Sequence, residues 1–318
     1  MESIEIKQKK QEENPVFEEI ARFEGHKNYI YCIAELYDYN IATSSCDIIK
    51  IWDHQTKECI LTIDECNYED YVYIRCIIEF EPNYLLYGTS QDDIILYNLS
   101  KQFKSYNYQC HTRAINCLLK LSSHYFASGS NDNSIIIWNY HTKTIRKRLR
   151  GYNGEGGDIN SIILLKDERM CFCGENYQIK IFDWIKNSYD LVICNPHNNT
   201  SINCLLQLDD YRLISGGSDK CLNIYNINKL KPNQKIVLHK HEDRIFTICK
   251  ISEYIIASGD FNGKIKIWNL KTRECIQNIG ENNKCICPIY LSIKGNIFCC
   301  NRSQDLIILK NKTKAKVE

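Results

Sequence analysis

The sequence predicts an all-β fold, a seven-bladed β-propeller whose blades are four-stranded antiparallel sheets. Three observations predict it. The first is that a similar unit recurs along the chain, and the second is that each unit alternates apolar and polar residues as strands do. A third is that each unit has a strand that ends at a large side chain. This position is occupied in turn by Trp52, Tyr97, Trp138, Phe182, Tyr225, Trp268 and Leu309, at intervals of 41 to 45 residues. That interval is the period of a four-stranded propeller blade.

The units are clearest where a turn of small and polar residues leads into an apolar strand. The clearest segments are ASGSNDNSIIIWN (127–139), ISGGSDKCLNIYN (214–226) and ASGDFNGKIKIWN (257–269). Each unit also begins with a short strand that opens on isoleucine. These isoleucines are Ile30, Ile74, Ile115, Ile159, Ile202 and Ile245. The first strand and the aromatic-ended strand therefore recur together, one pair in each predicted blade.

The charge balance excludes some classes of partner. Lys and Arg number 40 and Asp and Glu number 39, so the net charge is +1. Such a chain has no overall attraction to nucleic acid or to an anionic membrane, and no apolar run approaches the ~20 residues that span a bilayer. The first residues are polar and lack the apolar core of a secretory signal. We therefore expect a cytoplasmic protein with no membrane partner and no nucleic-acid partner.

The 18 cysteines raise the question of disulfides or metal. The sequence contains no Cys-x-x-Cys pair, which is the spacing typical of zinc sites. Cys32, Cys76, Cys117 and Cys204 occupy one equivalent position of the units, which Ser161 and Thr247 fill elsewhere. A position that accepts Cys, Ser or Thr requires a small buried side chain and not a ligand. We therefore expect free thiols that pack as small apolar residues, and neither metal nor cofactor.

Two dipeptides of the first unit indicate a family. Gly25-His26 lies at the start of the unit, and Trp52-Asp53 ends its third strand. These pairs resemble the signature of the WD-repeat family, and the resemblance extends from residue 15 to about 310. In that family a His, a strand Ser or Thr, a turn Asp and the Trp form a buried hydrogen-bonded tetrad. The resemblance implies tetrad members His26 and Trp52 in the first unit, His111, Ser128, Asp132 and Trp138 in the third, His197, Ser215 and Asp219 in the fifth, and His241, Ser258, Asn262 and Trp268 in the sixth.

The last unit lacks a fourth strand, because only a charged tail follows Leu309. The stretch 16–23 has the apolar spacing of a fourth strand and is expected to complete this blade, as it does in WD-repeat proteins. Closure would remove the exposed sheet edges that favour aggregation. We thus predict a single propeller over 15–310 between a polar tail (1–14) and a charged tail (311–318). The predicted blades are 24–64, 65–107, 108–151, 152–194, 195–238, 239–280, and 281–310 together with 16–23.

The family resemblance also indicates where partners bind. Residues that flank the opening isoleucine of each first strand, and the residue before the turn Asp, surround the mouth of the central channel in this family. On one side of the ring these positions carry aromatic residues and arginine, which are enriched at binding hot spots. The predicted partner-binding residues are Tyr29, Tyr31, Tyr73, Arg75, Arg244, Phe246 and Phe261. The other side carries small polar residues such as Asn116, Asn160 and Asn203.

A basic run, Thr144 to Arg150, is the most concentrated charge within the predicted blades. In a strand it places Arg146, Arg148 and Arg150 on one face. Two interpretations remain open. The run is either an outer strand whose charges protect an edge, or a docking stripe for an anionic partner.

These features favour a non-catalytic scaffold that binds one or more proteins or peptides at the channel mouth, with no small-molecule substrate. An alternative is a substrate receptor or targeting subunit of a larger complex such as a ubiquitin ligase. A propeller hydrolase is less favoured, because it needs titratable groups that converge at one level of several blades. The histidines instead recur in separate units, as structural residues do.

Overall fold

A computed structural model describes residues 14–65, 72–150, 157–228, 235–238, 241–280, 288–300 and 304–312. Every regular element in these ranges is a β-strand, and the strands form seven four-stranded antiparallel sheets. The predicted fold class is therefore confirmed. Most of the two predicted tails, residues 1–13 and 313–318, lies outside the described ranges.

Each of blades 1 to 6 is one continuous stretch of chain, with its first strand innermost. Blade 1 contains β2 (Cys32–Glu35), β3 (Ile41–Ser44), β4 (Ile48–Trp52) and β5 (Cys59–Asp64). Blade 2 contains β6 (Ile74–Glu81), β7 (Tyr84–Thr89), β8 (Ile94–Asn98) and β9 (Phe103–Tyr108). Blade 3 contains β10 (Ile115–Lys120), β11 (Tyr125–Ser130), β12 (Ser134–Asn139) and β13 (Thr144–Arg150).

Blades 4 to 6 repeat this order. Blade 4 contains β14 (Ile159–Leu164), β15 (Met170–Gly174), β16 (Gln178–Asp183) and β17 (Ser188–Cys194). Blade 5 contains β18 (Ile202–Gln207), β19 (Arg212–Gly217), β20 (Leu222–Asn226) and β21 (Lys235–Val237). Blade 6 contains β22 (Ile245–Lys250), β23 (Ile255–Asp260), β24 (Ile265–Asn269) and β25 (Glu274–Ile279).

Blade 7 is built from both ends of the chain. Its inner strands are β26 (Ile289–Leu291), β27 (Ile297–Cys300) and β28 (Leu306–Asn311), and its outer strand is β1 (Phe17–Phe23). Phe17 pairs with Asn311 and Phe23 with Leu306, so the N-terminal strand closes the ring as the sequence predicts. Phe17 and Phe23, at the two ends of this strand, are buried, whereas Ile20 is 47% exposed beside a register shift.

The core lies between adjacent blades, because each sheet buries its two faces against its neighbours. The innermost strands contact one another in ring order, and β26 meets β2 to complete the circle. Apolar clusters follow these junctions, and one of them joins blades 6, 7 and 1 around Trp52, Ile297 and Leu309. No helix long and apolar enough to cross a membrane occurs among the residues placed in the structure.

In several blades the second strand carries a glycine where its backbone packs closely against a cysteine of the same blade and the opening isoleucine of the next blade. The backbone of Gly129 lies so close to its surroundings that an added Cβ would stand 2.6 Å from Ile159 Cγ2 and 2.7 Å from Cys117 Sγ. Gly88 and Gly216 meet the same kind of cysteine and isoleucine. The small cysteine and the glycine therefore share one space, which explains why the cysteine position accepts Ser or Thr but no large side chain.

Candidate functional site: the channel mouth

The mouth is the end of the channel at which the innermost strands begin, and a repeated β-bulge shapes it. In blades 2 to 6 the pairing of the first two strands shifts register immediately after the opening isoleucine. A bulge leaves one residue unpaired and redirects its side chain. The five bulge residues are Arg75, Asn116, Asn160, Asn203 and Phe246. Tyr31 holds the corresponding place in blade 1, where its backbone nitrogen donates to Ser44 at 2.8 Å.

On the polar side of the ring the bulge residues bind the neighbouring blade. The side-chain amide nitrogens of Asn116, Asn160 and Asn203 donate to the backbone oxygens of the next blade's opening isoleucines at 2.9, 3.0 and 2.9 Å. These three asparagines therefore act as clamps between blades 3, 4, 5 and 6. Their amide groups are committed to the ring itself.

On the other side the bulge residues are aromatic or basic. In blade 6 the guanidinium carbon of Arg244 lies 4.8 Å from the ring centroid of Phe261 and 6.0 Å from that of Phe246. The two rings lie 5.7 Å apart. Asp243 accepts the backbone N–H of Arg244 at 2.7 Å. These contacts hold the arginine and both rings as one cluster at the start of β22.

A second cluster spans blades 1 and 2. The rings of Tyr31 and Tyr73 meet edge to face at 5.7 Å, and burial raises the pKa of the Tyr31 phenol. Arg75 Nη1 donates to Asn116 Oδ1 at 2.6 Å, which links this cluster to the asparagine clamps. Tyr29 is 45% exposed and precedes the strand. The structure thus gathers the predicted residues into two groups, and the start of blade 7 between them (281–287) lies outside the described residues.

The tetrad positions are occupied differently from blade to blade. In blade 3, His111 contacts Ser128 Oγ at 2.7 Å and Asp132 Oδ2 at 2.8 Å, and Trp138 Nε1 donates to Ser128 at 2.8 Å. Burial raises the pKa of Asp132, but hydrogen bonds from His111 and Ser134 outweigh it and lower the pKa to about 2. This blade has all four members in place.

In blade 6 the assignment of Asn262 is wrong. His241 contacts Ser258 Oγ at 2.5 Å and Asp260 Oδ2 at 3.1 Å, and Trp268 Nε1 donates to Ser258 at 2.7 Å. The backbone nitrogen of Asn262 donates to Asp260 at 3.0 Å. The tetrad acid of blade 6 is therefore Asp260 at the end of β23, two residues earlier in the repeat than the acids of blades 3 and 5. Asp260 takes this role because the end of the strand places its carboxylate beside the His241 imidazole.

Blade 5 keeps three members and replaces the fourth. His197 contacts Ser215 Oγ and Asp219 Oδ1, each at 2.7 Å. Tyr225, at the Trp position, donates its hydroxyl to Pro196 O at 3.1 Å. Lys235 Nζ donates to the same oxygen at 2.8 Å.

In blade 1 the sequence interpretation missed the middle residue. His26 Nε2 lies 2.6 Å from Thr43 Oγ1, which also accepts the Trp52 indole N–H at 2.7 Å. His26 Nδ1 is buried without a hydrogen-bond partner among the described atoms. Asp47 instead accepts the backbone N–H of Val72 from blade 2. The hairpin is one residue shorter than in blade 3, so alignment by the Trp alone passes over Thr43.

In blade 2 a different polar contact takes the place of the tetrad. Tyr87 occupies the place of the tetrad serine and is fully buried. Its hydroxyl donates to Glu65 Oε1 at 2.6 Å, and Lys104 Nζ pairs with Glu65 Oε2 at 2.7 Å. The sequence signal for this different contact was Tyr87 itself, a tyrosine at the repeat position where the tetrad blades carry serine or threonine.

The buried histidines do not converge. His26, His111, His197 and His241 lie in four different blades, and each contacts a hydroxyl of its own blade. Such an arrangement stabilises sheets but does not bring a nucleophile and a base within reach of one another. Within the described ranges, no group of three or more His, Cys, Asp or Glu side chains is placed to hold a metal ion.

The basic run forms β13 on the outside of blade 3. The guanidinium of Arg146 stacks over Tyr125 at 4.6 Å and over Trp184 of blade 4 at 5.2 Å. Arg148 Nη2 donates to Cys110 O at 2.6 Å. Arg146 and Arg148 therefore make contacts within the protein, and Arg150 at the strand end is exposed.

Two family models match the chain. One, described as WD domain, G-beta repeat, matches residues 17–53 and 102–139, and both segments include a tryptophan-ended third strand. The other, described as DDB1- and CUL4-associated factor 12 beta propeller, matches residues 191–307. The chain is a WD-repeat protein.

Curated relatives of this WD-repeat chain share only part of their length with it. A guanine nucleotide-binding protein subunit beta-like protein of Encephalitozoon cuniculi (strain GB-M1) is 27% identical over 47% of this chain and 47% of its own length. The WD repeat-containing protein 55 homolog of Dictyostelium discoideum is 22% identical over 55% and 41%. The U3 small nucleolar RNA-associated protein 15 homolog of Xenopus laevis is 22% identical over 81% and 49%. The chain thus spans about half the length of these relatives or less.

Proposed function

We propose that this chain is a non-catalytic scaffold that binds a peptide or protein segment at the channel mouth. The observation that carries the proposal is the contrast among the bulge residues. Asn116, Asn160 and Asn203 are committed to neighbouring blades, whereas Tyr31 and Phe246 bring aromatic surface to the same level. Aromatic residues and arginine dominate binding energy at interfaces because they combine large contact area with polar groups.

The blade 6 cluster supports a preformed anchor. Arg244 stacks on Phe261 and is half-exposed at its side chain, 49% by area. A guanidinium held over a ring loses less conformational entropy on binding than a free one. The cluster suits a partner that offers a carboxylate or a backbone carbonyl beside an apolar side chain.

A pull-down from cell extract with the full chain tests this proposal. The test variant carries Tyr31→Ala, Arg244→Ala and Phe246→Ala, and the matched control carries Tyr189→Ala and Tyr211→Ala at exposed positions away from the mouth. Both must retain the melting temperature of the parent. Loss of partners from the mouth variant alone supports the proposal, and equal recovery by all three proteins contradicts it.

A third variant in the same experiment tests the flank of blade 3. Arg146, Arg148 and Arg150, changed to serine, would lose partners only if β13 is a docking stripe for an anionic surface. The intramolecular contacts of Arg146 and Arg148 favour a structural use of the stripe. Selective loss of partners from this variant would move the proposed site from the mouth to the flank.

A second candidate function is that of a receptor subunit in a larger complex such as a ubiquitin ligase. The match of residues 191–307 to a propeller named for association with DDB1 and CUL4 favours it. Mixing the purified chain with purified DDB1 on a size-exclusion column tests it directly. Co-elution at low micromolar concentration supports the receptor role, and separate elution contradicts it.

We further propose that the chain acts in the cytoplasm, with the nucleus as the competing place. The name of the Xenopus relative, which refers to a small nucleolar RNA, supports that competitor. A fluorescent fusion imaged in living cells decides between the two.

A further inference from the structure

A cavity of about 350 Å³ lies beside the outer strand of blade 2, on the side of that blade that faces blade 1. Its wall is formed by the turn between β7 and β8, by Ile95 of β8 and by β9. Glu65, which follows β5, and Val72, which precedes β6, complete the wall. Residues 66–71 between them lie outside the described residues, and no part of the site is assigned to them. The volume falls in the range of ligand pockets, which begins at about 300 Å³.

The cavity adjoins repeat positions that hold an imidazole in another blade. Counted back from the aromatic residue that ends the third strand, Gln91 and Asp93 take the places of Asp132 and Ser134 in blade 3. In blade 3 these two residues contact His111 Nδ1, at 2.8 and 3.2 Å. The sequence that leads into blade 2 contains no histidine. Blade 2 therefore keeps an acid at this level without the imidazole that blade 3 places beside it.

The charges that line the cavity leave one carboxylate without a counter-ion. Lys104 Nζ pairs with Glu65 Oε2 at 2.7 Å, so these two charges cancel. Asp93 Oδ1 accepts the side-chain amides of Asn107 and Gln109 at 2.8 and 3.4 Å. Amide donors are uncharged, so Asp93 keeps its negative charge. Two carboxylates against one ammonium group give the wall a net negative charge, which favours a cationic occupant.

The surroundings of the cavity do not reverse this sign. Asp64 and Asp92, which precede the two lining carboxylates in the chain, are acids as well. A further cation, Lys143, lies 5.6 Å from the ring centroid of Tyr106. Its ammonium group donates to Tyr108 Oη at 3.0 Å, and the Tyr108 ring is buried in the cluster between blades 2 and 3. Lys143 is thus held at the junction on the other side of blade 2.

Side-chain oxygens in the wall suit a guanidinium group. Ser105 is the extra residue of a bulge in β9, and its hydroxyl makes no hydrogen bond to a described residue. The same is true of Asp93 Oδ2 and Asn107 Oδ1. Arginine presents five N–H donors in one plane, whereas lysine presents three on a compact charge. Several separate acceptors that include one carboxylate therefore favour arginine over lysine.

We propose that this cavity binds an arginine side chain of a partner peptide. The guanidinium group pairs with Asp93 and donates to Ser105 and Asn107, and its methylene groups lie against Ile95 and Val72. The site is separate from the one under Proposed function, because the two share no residue. A partner anchored here leaves the channel mouth open to another.

Selection from a phage-displayed library of random peptides on the purified full chain tests the proposal. We expect a family of enriched peptides that share an arginine, and we expect their affinity to fall as salt rises. A synthetic peptide of this family is titrated by fluorescence polarisation. Replacement of its arginine by citrulline, which has nearly the same shape but no charge, should weaken binding by about tenfold or more. Replacement by lysine should weaken it less.

Matched variants of the chain separate the cavity from folding and from the mouth. Asp93→Asn removes the charge but keeps an oxygen for the amide donors, and it should weaken binding by about tenfold or more. Asp92→Asn is the control, because it makes the same charge change one residue away at a positive φ of 65°, which asparagine tolerates. Ser105→Phe should block the cavity while the melting temperature is retained. Arg244→Ala with Phe246→Ala must leave this affinity unchanged, so that failure at the mouth is distinguishable.

Several outcomes would overturn the proposal. They are a selection without an arginine family, equal affinity of the arginine and citrulline peptides, and binding that survives both Asp93→Asn and Ser105→Phe. Equal losses from Asp92→Asn and Asp93→Asn would also overturn it, because the peptide would then sense the general charge of the turn and not the cavity.

Discussion

The Nδ1 atom of His241 lies 3.1 Å from Oδ2 of Asp260, and both side chains are fully buried. The same carboxylate accepts the backbone N–H groups of Asn262 and Lys264 through its other oxygen, each at 3.0 Å. Asp260 thus connects the imidazole, the end of β23 and the turn to β24. Burial raises its pKa, but the hydrogen bond from His241 and those from the turn outweigh burial and lower it.

Removal of this carboxylate is expected to destabilise blade 6. Asp260→Ala should lower the free energy of unfolding by ~1–3 kcal/mol, because His241 and two backbone N–H groups lose their acceptor in a buried place. Asn262→Ala should change it by less than about 0.5 kcal/mol, since Asn262 is not the tetrad acid. Urea unfolding followed by tryptophan fluorescence measures both. Equal losses would restore Asn262 to the tetrad.

A methyl group on Gly129 is expected to disturb the junction between blades 3 and 4. Gly129→Ala should cost ~1–3 kcal/mol of unfolding free energy, because the new Cβ would overlap Ile159 and Cys117. Combination with Cys117→Ala should recover part of the loss, since the sulfur is one of the two close atoms. A double-mutant cycle in urea measures the coupling. Additive losses would contradict the shared-space interpretation.

The N-terminal strand is expected to contribute strongly to stability through its inward residues. Phe23 is buried and its ring meets Trp52 of blade 1 edge to face at 5.6 Å. Phe23→Ala should cost ~3–5 kcal/mol, as large-to-small changes in cores do. Ile20→Ser is the control, because Ile20 is 47% exposed on the same strand. Thermal unfolding by circular dichroism measures both, and an equal effect would mean that β1 does not close the ring through its buried face.

Acidification is expected to weaken blade 1 through His26. Burial, with the nearby Lys50 charge, lowers the pKa of His26 from 6.5 to about 4. Between pH 6.5 and about pH 4 the His26 imidazole therefore binds a proton in the unfolded chain but not in the folded chain. The contribution of neutral His26 is fully present above pH 6.5 and is lost as the pH falls through about 4, by ~1–3 kcal/mol in total.

The variant His26→Gln cannot titrate in this window and isolates the effect. Its unfolding free energy should depend less steeply on pH between about 6.5 and 4 than that of the parent. Urea unfolding at a series of pH values measures the two slopes. Parallel slopes would mean that His26 carries no such linkage.

The repeat period predicted which residues lie at the mouth but not how they are used there. The period identified Tyr31, Arg75 and Phe246 as equivalent to Asn116, but it did not show that the equivalent place is a bulge in blades 2 to 6. A bulge depends on how the first two strands pair, which the order of residue types in a repeat does not show. Nor did the pattern show that asparagine there clamps the next blade, since that contact joins residues about one period apart.

The sequence by itself determined the number of blades, their order and the closing of the ring by the N-terminal stretch, predicted as 16–23, because period and strand alternation are local properties of the chain. Only the tertiary structure decided which residue completes each polar contact. Asp260 replaces Asn262, Thr43 completes blade 1, and Tyr87 with Glu65 acts in blade 2. The physical reason is that a buried polar group takes the partner within hydrogen-bond reach, and that reach depends on hairpin length and side-chain size rather than on position in the repeat.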